Sequence, residues 1–220
     1  MTIRTLPLLG PLDWATVPIP AGTPDVQIAR IFANPDSKAS PSLVRFPAGW
    51  TRSVDVFYAV DEELVVLEGE LIVSGVSYAA GQYGFIPAGS LRRLSATPNG
   101  CLALAHFGGV PGALTEEQSS TMAVGPTLRH DLRAYGVGTG ATCFGAVGDL
   151  LRTSPNGGTC HFVEGELASL GLASSCEVLD VLTWTLTLAE AGDSLDLPAS
   201  RYLVRCQPLA LCRCVCTTLR

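Results

Sequence analysis

The chain has 220 residues, enough for one large domain or two small ones, each with a core of its own. Hydrophobic residues make up 47% and charged residues 15%, which excludes a disordered chain. A formal charge of −6 and a single lysine, Lys38, with no basic run, speak against nucleic acid or an anionic membrane as partner. The N-terminus, MTIRTLPLLGPLDW, carries a short apolar run broken by Pro7, Gly10 and Pro11, without the apolar core and cleavage site of a signal peptide. No apolar stretch approaches the ~20 residues of a membrane helix. A cytoplasmic protein is expected, with residues 1–24 as an N-terminal arm.

Beyond the arm, SLVRF, LVVLEGELIV, QYGFIP and CLALAHF are short apolar runs separated by turn residues, the pattern of an all-β sandwich or barrel. In CLALAHF, alternation sets His106 with Leu102 and Leu104, opposite Cys101, Ala103 and Ala105. Small residues facing inward would leave room for a ligand. The segment GGVPGALTEEQSSTMAVGP reads as a linker over 109–124, with Thr115 opening a short capped turn in LTEEQSS. VLDVLTWTLTL and LCRCVC follow as further strands. Period-2 spacing puts Cys212, Cys214 and Cys216 on one strand face, where they act as small apolar residues. The eight cysteines include no CxxC pair and are expected to be reduced, and the three histidines, His106, His130 and His161, form no ligand pair.

The halves repeat. AGQYGFIPAGSLRRL from Ala80 matches AGDSLDLPASRYLVR from Ala191. Gly81 and Gly192, Pro87 and Pro198, and Cys101 and Cys212 all lie 111 residues apart. EELVVLEGEL from Glu62 matches EVLDVLTWTL from Glu177 at an offset of 115. A constant offset through a strand–turn–strand unit means duplication, and two repeats of this length make two similar β domains rather than a solenoid. The boundaries expected are 25–108 and 125–220.

Gly49-x5-Asp55-x-Phe57-x4-Glu62-x6-Gly69 has the frame of the first cupin motif, and Gly81-x5-Pro87-x-Gly89-x2-Arg92 that of the second. The chain resembles a bicupin of the RmlC-like superfamily and is similar to the ChrR-like group, which implies two double-stranded β-helix (jellyroll) barrels. Gly69 and Gly89 fall at strand ends, where a positive φ or a tight bend is expected. The resemblance also locates the metal ligands, three histidines and a glutamate. Here Asp55, Phe57 and Arg92 stand in the histidine positions, and Glu62 keeps the acid. Arginine lends no lone pair and phenylalanine offers no ligand, so no metal cofactor is expected in this degenerate site. In the second half Glu177 matches Glu62, while Leu170, Leu172 and Leu203 fall in the other positions, and a structural barrel is expected.

Three functional readings follow. The first is a metal-independent bicupin, non-catalytic, that binds a small anionic organic molecule in the first barrel, with Arg92 as anchor and Phe57 as apolar wall. No zinc-binding segment of the anti-sigma kind precedes the barrel, so a complete anti-sigma factor is not expected. The second is a metal-independent isomerase, cyclase or lyase, in which neighbouring Asp55 and Glu62 carboxylates share acid–base work. The third is a metal-dependent cupin dioxygenase. The partner expected is a small molecule, with no nucleic acid and no membrane, and a homodimer is left open.

Overall fold

The apolar runs form strands because alternate residues bury one face, and every ladder among the described residues is antiparallel. The structure is a computed structural model that describes residues 3–33, 35, 38–134, 142–143, 146–153, 159–172 and 175–206. The chain folds as two jellyroll barrels and divides into two compact units: Pro11–Asp131, and Met1–Gly10 together with Leu132–Arg220. The Cys212, Cys214 and Cys216 run lies outside the described residues.

In the Pro11–Asp131 unit the long strand Glu62–Val73 is the spine. It pairs with Cys101–Phe107 along one edge, and with Gln82–Ile86 and Val76–Ala79 along the other. The sheet runs on from Cys101–Phe107 through Ser40–Phe46 and Val26–Arg30 to Ala15–Val17. In the opposite direction it passes through Ser95–Thr97 and Trp50–Arg52 to Gly22–Thr23. A separate small sheet joins Leu91–Arg92, Val56–Tyr58 and Ala113–Leu114. Leu64, Val66, Leu71, Val73, Tyr78 and Ile86 form one buried cluster, and Val26, Val44 and Trp50 form another. Each such side chain contributes on the order of 1.5–3 kcal/mol of burial.

The second unit is a seven-stranded sheet built around Thr159–Gly171 and Ser194–Cys206. Cys176, Val178, Leu195, Tyr202, Val204 and Cys206 supply its core cluster. The duplicated turns are present in both units: Gly81 (φ 90°) and Gly192 (φ 92°) sit in the left-handed region. Their amide groups donate to the carbonyls of Val66 and Leu172, each at 2.8 Å. The two glycines share a dihedral but not a matched acceptor, since Val66 and Leu172 lie 106 residues apart and the strand match runs at 115.

Two segments differ from the sequence expectation. Residues 1–24 do not form one arm: Arg4–Pro7 is an edge strand on Thr185–Ala189, and Leu8 is buried and donates its N–H to the Trp184 carbonyl at 2.9 Å. Ala15–Val17 belongs to the other unit. Leu128–Asp131, expected in the second barrel, instead pairs with Gln82–Ile86 of the first. Both strands cover sheet edges whose backbone groups would otherwise lack partners, a role that four residues perform without any apolar periodicity. The capped turn forms as expected, with helix Glu116–Ser120 closed by a capping box between Thr115 and Gln118. No helix among the described residues is long and apolar enough to cross a membrane.

Candidate functional site

The Pro11–Asp131 unit encloses a cavity of about 320 Å³. Its wall is apolar, with Val44, Phe46, Leu64, Ala103, Ala105 and Phe107 among the lining residues, and its polar side chains are Arg52, Tyr58, Glu62, Arg92 and Ser95. The inward face of CLALAHF is therefore the small one, as alternation suggested. His106 falls on the other face of that strand and is buried there.

Arg92 owes its place to a turn. After Ile86 the strand breaks at Pro87, which has no N–H to donate, and Gly89 takes φ 75°. The Gly89 and Ala88 amides donate to the Tyr58 carbonyl at 2.8 Å and to Asp61 Oδ1 at 2.9 Å. The chain re-enters a sheet at Leu91–Arg92, opposite Phe57 and Val56. Arg92 is only 1% exposed. Its Nε–H donates to Glu62 Oε2 at 3.0 Å, Nη1 to the Ser90 carbonyl at 3.1 Å and Nη2 to the Ile86 carbonyl at 3.5 Å. Its guanidinium also stacks on the Tyr58 ring, 4.4 Å from the centroid.

Arg52, which the sequence reading passed over, is the second buried guanidinium. It lies on Trp50–Arg52, directly opposite Ser95, and is 6% exposed. Nη1 donates to the Tyr58 hydroxyl at 2.7 Å and Nη2 to Ser95 Oγ at 3.2 Å, while Nε–H is buried without a partner among the described residues. The Tyr58 ring thus has a guanidinium near it on two sides, Arg92 at 4.4 Å and Arg52 at 5.7 Å. Both arginines are cations and only one carboxylate, Glu62, lines the cavity.

Of the four residues singled out from sequence, the structure brings Glu62 and Arg92 together and places Asp55 and Phe57 elsewhere. Asp55 holds Arg93 on the exposed surface, with Arg93 Nη2 to Asp55 Oδ2 at 3.0 Å. Phe57 is on the strand face away from the cavity, and the lining residues are its neighbours Val56 and Tyr58. The reason is local. Residues 53–55 form a bend between two strands rather than a strand, and the strand that follows turns Val56 and Tyr58, not the motif positions Asp55 and Phe57, toward the cavity. The paired-carboxylate arrangement is thereby corrected to a single carboxylate. A charged residue alternating with Trp50 in WTR was the signal that could have found Arg52, because an inward arginine beside an inward tryptophan needs a reason.

A transition metal does not fit this donor set. Glu62 is the only carboxylate in the lining, and Arg92 already holds it. Among the described residues no group of three or more His, Cys, Asp or Glu is placed to bind a metal ion. A guanidinium beside the one acid repels a divalent cation.

Two neighbouring groups are held in their neutral forms by burial. Burial, and next the charge of Glu62, raise the Tyr78 hydroxyl above its ordinary 10.0. Burial, and next the charge of Glu70, push the Cys101 thiol up to about 12. Cys101, Cys160, Cys176 and Cys206 are all buried.

No family model matches the sequence, and no curated protein matches it. Solved structures do. A candidate dioxygenase from Nostoc punctiforme is similar with a TM-score of 0.68 at 15% identity, over 93% of this chain and 82% of that one. A candidate glyoxylate-induced protein from Pseudomonas aeruginosa is similar with a TM-score of 0.53 at 12% identity, over 89% and 86%. At these identities the likeness is one of fold. The anti-sigma factor ChrR of Rhodobacter sphaeroides, solved with SigE, overlaps 45% of this chain and 51% of that one, at 19% identity and a TM-score of 0.36.

Proposed function

We propose that this chain, a bicupin of the RmlC-like superfamily by fold, binds a small anionic organic molecule in the cavity of its first barrel and needs no transition metal to do so. The observation that carries this reading is the charge of the cavity: two buried guanidiniums face one carboxylate. A buried charge without a counter-charge costs several kcal/mol, and an anionic ligand removes that cost. The volume of about 320 Å³ is at the small end of organic-ligand pockets, and the apolar wall suits a hydrophobic body behind the anionic group.

The acid–base reading keeps Glu62 but loses Asp55, which holds Arg93 instead. The Nostoc protein is described as a dioxygenase candidate. That chemistry would need a metal here, and one carboxylate clamped by Arg92 does not supply the ligands.

The test is paired. Elemental analysis of the purified chain should find well under one Fe, Mn, Ni, Cu or Zn per molecule. Octanoate should raise its melting temperature by several degrees, and octanamide should not. About one metal per chain, lost in Glu62→Ala, would move the dioxygenase reading to first place.

A further inference from the structure

We infer that the anionic group of the ligand is a single carboxylate seated on Arg52, not on Arg92, so that the cavity selects apolar monocarboxylates. The inference rests on the ligand-binding reading above and adds the anchor and the ligand class. Arg92 is already balanced. Its Nε–H is on Glu62, its two terminal nitrogens reach backbone carbonyls, and its face lies on Tyr58. A ligand carboxylate at Arg92 would have to approach Glu62 and share its counter-ion, which like-charge repulsion opposes.

Arg52 is the reverse case. It has no ion-pair partner within reach among the described residues, and its bonded neighbours are the neutral hydroxyls of Tyr58 and Ser95. Its Nε–H, buried and unpartnered, stands beside Nη2, and Nε–H with one Nη2–H is the edge that a carboxylate takes in bidentate fashion. Tyr58 on Nη1 and Ser95 on one of the two Nη2 hydrogens fix the orientation of the guanidinium, as a preorganised anchor requires.

Charge balance sets the class. Two guanidiniums and one carboxylate leave one positive charge, which a monoanion neutralises and a dianion overshoots. The volume completes it: at roughly 30 Å³ per water-sized group, a cavity of about 320 Å³ holds about ten such groups. Val44, Phe46, Leu64 and Phe107 give those groups an apolar surface. Octanoate and phenylacetate are probes of this size and kind.

Calorimetric titration of the full chain with octanoate, phenylacetate, octanamide, suberate and inorganic phosphate tests this. The monocarboxylates should bind at least tenfold more tightly than the amide, the dicarboxylate or phosphate. Arg52→Gln should weaken octanoate roughly 10- to 100-fold, and Arg52→Lys, which keeps the charge and loses the fork, should fall between. A crystal structure of the wild-type octanoate complex should put the carboxylate on Nε and Nη2 of Arg52, which decides the matter even if the variants fail to fold. A carboxylate found on Arg92, or binding weakened by Arg92→Gln and untouched by Arg52→Gln, overturns the anchor and leaves the ligand-binding reading standing. Acid and amide binding equally, or no acid binding at all, overturns both.

Discussion

Glu62 and Glu177 lie at the start of matched strands, Glu62–Val73 and Cys176–Asp180, yet of the two only Glu62 ends beside a cavity arginine. In the first barrel the following strand stops at Ile86, turns through Pro87 and Gly89, and delivers Arg92 to Glu62 at 3.0 Å. In the second, the sequence matches of that turn, Pro198 and Ser200, lie inside the strand Ser194–Cys206. That strand pairs with Thr159–Gly171 and Cys176–Asp180, as Cys101–Phe107 pairs with Ser40–Phe46 and Glu62–Val73 in the first. Leu203, the match of Arg92, stays in the ladder opposite Leu179 and Phe162. Glu177 pairs across the sheet with Arg205, at 3.7 Å. The difference teaches that the turn, as much as the residue, makes the site. A glycine in the left-handed region lets one strand leave its sheet and carry a charge inward, whereas the strand through Ser200 stays in its sheet and absorbs the irregularity as a register shift opposite Gly165 and Leu167.

The strongest way to break this comparison is to give the first barrel the second barrel's chemistry at Arg92. Arg92→Met leaves the largely buried Glu62 without its cation and should cost about 3–5 kcal/mol of unfolding free energy. Adding Glu62→Gln should recover more than half of that, because the uncompensated charge goes with it. Urea midpoints read both variants. A loss below about 1 kcal/mol for the single change would mean that Arg92 is as dispensable as its leucine counterpart.

Exchanging the turn residues sharpens the contrast with a smaller effect. Gly89→Ser places a side chain at φ 75°, where its Cβ would also meet Met122 and Val124 at 3.1–3.2 Å. The expected cost is about 1–2 kcal/mol, with weaker octanoate binding as Arg92 shifts. Ser200→Gly, in a strand, should cost no more than about 1 kcal/mol. Equal costs for the two changes would remove the turn from the explanation.

How much of this was legible follows from which signals are local. Glu62 and Arg92 were legible because each sits at a fixed count from a glycine of the motif, Gly69 and Gly89, and Gly81 and Gly192 because both take a left-handed dihedral. Asp55 and Phe57 were misplaced because the motif's spacing fixes a position in the chain but not the direction of a side chain beside the bend at residues 53–55. Arg52 and Tyr58 were missed because neither stands at a ligand position of the motif, and their meeting depends on a contact between strands. The edge strand Arg4–Pro7 was invisible for a different reason: its only role is to satisfy Thr185–Ala189, nearly 180 residues away.

The smallest effect expected separates the barrels by pH. His161 lies in the second barrel on Thr159–Gly171, opposite Leu150 and Val204, and burial lowers its pKa below 6.5. His130 lies in the first barrel's edge strand, stacked 6.1 Å from Tyr83, and burial lowers it too, though it is less enclosed. The sign is fixed by linkage. A histidine with a depressed folded pKa binds its proton more readily when unfolded, so its contribution to stability is present above about pH 6.5 and is lost as pH falls below it. The second barrel should therefore lose hydrogen-exchange protection in Thr159–Gly171 more steeply between pH 7 and 5 than the first does in Cys101–Phe107. His161→Gln should flatten the steeper profile, and His130→Gln should change the shallower one less. Unchanged slopes after His161→Gln would assign the acid sensitivity to other groups.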